Sequence, residues 1–124
     1  MSLKYLNEMT CSIGVSDIDA SINWFEDVLG FKLLYKAEEI AWAEMSTGLG
    51  AVNLGLGQVE NVTEGGGATP VWGVTDITAS KAHLEQHDVK LDGDIQDIPG
   101  LVKLLTFYDI DGNAMMLFEH NQDD

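Results

Sequence analysis

The chain has no arginine, a single cysteine, three histidines and no long apolar run, and each scarcity excludes something. Without Arg it lacks the bidentate fork that most often holds carboxylates and phosphates. Six lysines stand against 21 acidic residues, giving a formal charge of -15. Such a field repels nucleic acid and anionic membrane, disfavours anionic substrates and attracts cations. No apolar run approaches the ~18 residues needed to span a bilayer, and no basic-then-apolar leader opens the chain. A soluble, cytoplasmic protein is expected. The lone Cys11 excludes an intrachain disulfide and agrees with a reducing compartment. It falls on the apolar side of an alternating stretch, which reads as a buried, inert thiol and not a nucleophile.

What the chain does contain is one stretch written twice. Thr10 to Ser21 reads TCSIGVSDIDAS and Thr69 to Ser80 reads TPVWGVTDITAS, with seven identities in twelve ungapped residues. A weaker echo sets Gly50-Ala-Val-Asn53-Leu54 against Asn113-Ala-Met-Met116-Leu117. At 124 residues and 45% hydrophobic content, the chain reads as one domain built from a supersecondary unit used twice. Before each shared Asp the residues alternate, as in Cys11, Ile13 and Val15, which predicts a strand. Asp17 and Asp76 then stand at helix N-caps. Ile18, Ile22, Phe25 and Leu29 follow at helical spacing, and Gly30 supplies the stop.

In chain order, strands are expected over 4–15, 31–36, 40–46 and 51–57, with a helix over 18–29. The second half predicts a strand over 69–75, a helix over 77–87, a brief strand near 89–91, and strands over 101–108 and 114–119. Residues 58–68, carrying Gly65-Gly-Gly67, read as a linker between modules at about 4–57 and 69–120. The fold class is α+β, with each half running βαβββ.

The stretches VSDIDASINWFEDVLGFKLL, GVTDITAS and DIDGNAMMLFE together resemble the vicinal oxygen chelate superfamily of glyoxalases, extradiol dioxygenases and bleomycin-resistance proteins. Trp24-Phe25 stands where that family commonly has Phe-Tyr, and Ile110 replaces a common Pro. The resemblance covers essentially the whole chain. It implies two curved sheets closing round a U-shaped cavity, helices on the convex faces, and a homodimer. Family members that use a metal usually take a ligand seven residues before each repeat Asp and another from the fourth strand of each half. Those places hold Thr10, Asn53, Thr69 and Met116. Two alcohols, an amide and a thioether are poor ligands for a first-row divalent ion, so neither a metal nor another cofactor is expected.

The same positions suit a pocket that is apolar with sparse polar points. The candidate ligand-binding set is Thr10, Ser12, Trp42, Glu44, Asn53, Thr69, Val71, Met116 and Phe118. An aromatic plane at Trp42 beside the Glu44 carboxylate suits a flat, amphipathic, cationic small molecule. Trp72, aligned with Ile13, reads as core. The leading expectation is therefore a metal-independent binding protein like the drug-sequestering bleomycin-resistance branch. The alternative is a glyoxalase-like lyase or isomerase with Glu44, its pKa raised by burial, as the base. A third reading, a non-catalytic interaction partner, asks for a concave face filled by its own side chains.

Other signals are weaker. His83 and His87 lie four apart with no third ligand in view, and His120 reads as a rim residue. Asp109-Ile-Asp111-Gly lacks the later acidic positions of a calcium loop and reads as a hairpin turn. The Gly65–Gly67 run lacks the Lys-Ser/Thr that follows a phosphate loop. No Ser-His-Asp or Cys-His set can be assembled.

Overall fold

Among the described residues, two α-helices and eight strands follow the order β1 Met9–Val15, α1 Ile18–Trp24, β2 Lys32–Ala37, β3 Trp42–Leu49, β4 Val52–Gln58, β5 Val71–Gly73, α2 Ile77–Gln86, β6 Gln96–Ile98, β7 Val102–Tyr108 and β8 Ala114–His120. The computed structural model describes residue 4 and the stretches 7–62 and 68–121. The Gly65–Gly67 part of the expected linker lies outside the described residues. The chain divides into two compact units, Met1–Val62 and Thr63–Asp124. Each unit is a four-stranded sheet with one helix, ordered β1-β4-β3-β2 in the first and β5-β8-β7-β6 in the second. The α+β class and the doubled βαβββ plan therefore hold.

In the first unit, Ile13, Val15, Ala43, Met45, Leu54 and Leu56 face α1 and are buried with its Ile18, Ile22, Phe25 and Val28. Full burial of a side chain of this size stabilises by roughly 1.5–3 kcal/mol, so this layer holds the sheet to its helix. Asp17 caps α1 by accepting from the Ala20 N–H at 3.1 Å. The expected helix to Leu29 is not uniform. After Trp24 it widens into a five-residue π turn, Phe25–Leu29, which Gly30 ends in the left-handed region at φ 75°. Phe31 then stacks on Phe25 with ring centroids 5.9 Å apart.

The second unit repeats the logic, with Leu105, Phe107, Met115 and Leu117 buried on the side of α2, as are Ile77 and Leu84 of that helix. Asp76 accepts from the Ala79 N–H at 3.0 Å. One strand is displaced from expectation. Near 89–91 only Leu91 bridges to Phe107, and the strand proper is Gln96–Ile98. The backbone turns away at Gly93, φ 80°, then rejoins the outer edge of β7. Gln96-Asp97-Ile98 is wholly exposed, so no apolar alternation announced it.

The pairing registers also correct the echo between fourth strands. Ser12 pairs with Gly55 and Gly14 with Gly57, whereas their repeat partners Val71 and Gly73 pair with Met116 and Phe118. Met116 therefore corresponds to Gly55, and Asn53 to Ala114. A second observation agrees. Gln58 Oε1 accepts from the Ile18 N–H at 3.0 Å, and Glu119 Oε1 accepts from the equivalent Ile77 N–H at 2.7 Å.

Candidate functional site: a carboxylate bonded from three strands of the first sheet

Because strand side chains alternate, the face of the first sheet opposite α1 carries Thr10, Ser12, Tyr35, Trp42, Glu44, Asn53 and Gly55. Glu44 is the hub of that face. Its Oε2 accepts from Asn53 Nδ2 at 2.9 Å and from Thr10 Oγ1 at 3.2 Å. Its Oε1 accepts from Tyr35 Oη at 3.0 Å, and the nearby Trp42 indole also favours the charged form. One hydrogen-bond donor thus reaches Glu44, itself on β3, from each of β1, β2 and β4. Parallel pairing sets Thr10 directly beside Asn53, which is why both reach the same oxygen.

Half-burial pushes the Glu44 pKa up, but the bonds from Asn53, Tyr35 and Thr10, with the Trp42 indole, outweigh it and hold the group below its ordinary 4.5. This corrects the expectation of a base raised by burial. Desolvation is the largest single influence, yet four neighbours that favour the charged form together exceed it. A carboxylate held ionised in this way is a weak proton acceptor and a durable negative charge.

Trp42 lies over glycine. A Cβ placed on Gly55 would sit 2.1 Å from Trp42 Cη2, so only a residue without a side chain lets the indole settle against the sheet. Tyr35 was missed by sequence reasoning. The 31–36 stretch reads as a plain apolar strand, but the register with β3 shifts between Leu33 and Tyr35 and turns Tyr35 to stand opposite Glu44. No sequence signal marks that bulge.

The remaining candidates belong to the second unit. Thr69 precedes β5 and is exposed, Val71 pairs with Met116, and the Phe118 ring covers Gly73, where a Cβ would lie 2.8 Å from Phe118 Cζ. Leu104 and Thr106 share that face, as does Tyr108, whose hydroxyl donates to the Asp92 carboxylate at 3.0 Å. Phe118 meets the exposed His120 ring edge-on at 5.1 Å. The unit also has a concavity of about 510 Å³ lined by Thr75, Asp97, Lys103, Glu119 and His120. Its Glu119 is already bonded to the Ile77 N–H and stands 3.7 Å from Lys103 Nζ. His83 and His87 are exposed on α2 with ring centroids 4.6 Å apart. The Asp109 carboxylate is occupied by its own turn, accepting from the Asp111 and Asn113 N–H groups and from Asn113 Nδ2.

A model of the Glyoxalase/Bleomycin resistance protein/Dioxygenase superfamily matches residues 6–117. The chain belongs to that superfamily. Among curated proteins none matches. Solved structures in the superfamily's fold are close in shape and distant in sequence. TnmS3, an antibiotic binding protein from Streptomyces sp. CB03234, superposes with a TM-score of 0.81 at 21% identity, over 97% of this chain and 100% of that one. TioX from Micromonospora sp. ML1 gives 0.74 at 19% identity, over 93% and 99%. A superfamily member from Sphaerobacter thermophilus DSM 20745 gives 0.82 at 20% identity, over 95% and 100%.

Glyoxalase-superfamily chemistry often runs through a metal, and the residues here do not fit one. Of the places expected to ligate, Thr10 offers an alcohol, Asn53 an amide and Met116 a thioether beside Val71, and Gly55, which the register makes the equivalent of Met116, has no side chain. Thr69 does not share a register with Met116. Hydroxyl, amide and thioether groups supply no charge to balance a divalent ion.

Proposed function

We propose that this superfamily member is a metal-independent binding protein for an amphipathic, cationic small molecule, held on the open face of the first sheet. The observation that carries the reading is the juxtaposition of an ionised Glu44 with the Trp42 indole on the face opposite α1. The charge attracts a cation and the ring offers a plane for stacking. The overall charge of -15 adds a long-range pull on the same ligands. Supporting it, a protein described as antibiotic-binding shares the fold along its whole length. The alternative, a lyase or isomerase, asks Glu44 to take up a proton, and its donors weaken it for that role.

Titration calorimetry against a panel of cationic planar and glycopeptide drugs tests the reading. Saturable heat at micromolar ligand, unchanged by prior treatment with a chelator, is the expected result. Absence of heat at high micromolar concentration, or stoichiometric zinc, nickel or iron together with turnover of a hemithioacetal, would reject it.

A further inference from the structure

The network around Glu44 has a hydrogen-bonding polarity of its own. Thr10, Tyr35, Trp42 and Asn53 between them carry five polar hydrogens: one on each hydroxyl, one on the indole and two on the amide. Three of these, from Thr10, Tyr35 and Asn53, go to the Glu44 carboxylate, and the Trp42 indole beside it also favours its charge. The Asn53 amide can face a carboxylate only through its NH2, which fixes its orientation and leaves its carbonyl oxygen free to accept. What the cluster presents outward is therefore mostly lone pairs, on the exposed Thr10 and Tyr35 hydroxyls and on the Asn53 carbonyl. A single Asn53 N–H is the exception.

Building on the small-molecule reading above, we infer that this site selects ligands by their hydrogen-bond donors: a flat ring bearing N–H or O–H groups is preferred over one that bears none. To serve an acceptor, Thr10 or Tyr35 would have to turn its hydrogen outward. That would strip Glu44 of a charge-assisted bond, the strong kind, and leave the negative oxygen facing the ligand's acceptor. A donor ligand meets no such conflict. Charge alone does not account for this selectivity, because two equally cationic rings differ in what they donate.

Two planar monocations separate the contributions. 9-Aminoacridine carries N–H donors, and 10-methylacridinium has the same tricyclic plane and charge with none. Calorimetry on the intact protein is expected to give at least tenfold tighter binding for 9-aminoacridine. Equal affinities would overturn the donor inference while leaving the cation-binding reading in place. If neither compound binds, that reading and this inference fall together. Glu44→Gln gives an independent measurement, with its fold verified by circular dichroism. The substitution replaces one accepting oxygen by NH2 and releases neighbouring hydrogens to point outward, so the preference between the two probes should collapse toward unity. A preference that survives Glu44→Gln unchanged would also overturn the inference.

Discussion

The two halves of this chain were written from one template, and their differences are more informative than their likeness. Both cap the helix with the repeat Asp, at 3.1 Å and 3.0 Å to the N–H three residues on. Both return a side-chain oxygen from the last strand to the first helical N–H, through Gln58 in one and Glu119 in the other. Both seat an aromatic ring over a glycine of the sheet. These shared parts build the fold. On the faces away from the helices the likeness thins: in the first sheet donors from three strands meet on Glu44, whereas the second shows Val71, Leu104, Met116 and Phe118 and, among the described residues, has its carboxylate, Asp92, bonded only by Tyr108. The function is therefore sought in what was not copied.

The sharpest way to break that contrast is at Gly55. Gly55→Ala puts a Cβ 2.1 Å from Trp42, so the indole must leave its seat, and overpacking of this kind costs about 1–3 kcal/mol. Binding that depends on the Trp42 plane should fall about tenfold or more, with a shift in tryptophan emission that is absent in a Trp42→Phe background. Gly57→Ala is the internal control. Its Cβ would meet Trp42 at 3.7 Å, an ordinary contact, and should leave both stability and binding close to wild type. Equal effects from the two substitutions would mean that the ring position does not matter.

Much of the skeleton was legible because the signals that made it are local. The N-caps, the helical spacing and the alternation of Ile13 and Val15 act over a few residues, and each appears in the structure where the pattern put it, except that the first helix turns from α to π after Trp24. The parts that were not legible depend on neighbours distant in sequence. Nothing in Phe31–Lys36 says that an extra residue will turn Tyr35 toward Glu44. Nothing in Asn53 or Met116 says that their strands are offset by two residues relative to the repeat. Glu44 could be nominated from its neighbour Trp42, but the direction of its pKa follows from donors on three strands. The β6 segment was invisible because an exposed edge strand needs no apolar period.

The second comparison concerns the latches between last strand and helix. Gln58 gives a neutral hydrogen bond to Ile18, whereas the Glu119 carboxylate bonds Ile77 at a helix N-terminus with Lys103 nearby. A bond to a charged group is worth roughly 1.5–3 kcal/mol against 0.5–1.5 for a neutral one, and the helix dipole favours the anion. Partial exposure of the Glu119 side chain, 23%, places it toward the lower end of that range. Urea unfolding should show Glu119→Ala costing about 2 kcal/mol and Gln58→Ala about 1 kcal/mol. A Gln58 latch as costly as the Glu119 one would show that the charge adds nothing.

The smallest effect sought is a pair of opposite slopes. Glu44, in the first unit, is lowered below 4.5, so it contributes stability that is present above that pH and lost as acid carries the pH down through its folded value. Asp109, in the second unit, is buried, and desolvation raises it above 3.8 although Asn113 and Asp111 donate to it; the Asp111 charge adds to the rise. Its favourable contribution is complete below 3.8 and disappears as the pH climbs through its folded value. Glu44→Gln should therefore destabilise more at pH 7 than at pH 3.5, while Asp109→Asn should destabilise less at pH 7 than at pH 3.5. Chemical denaturation across that range, at constant ionic strength, reads both. Three hydrogen bonds reach each carboxylate, but those at Glu44 come from three separate strands, whereas those at Asp109 all come from one turn. Slopes of the same sign would mean that burial dominates at both carboxylates, and that the donors at Glu44 do not set its charge.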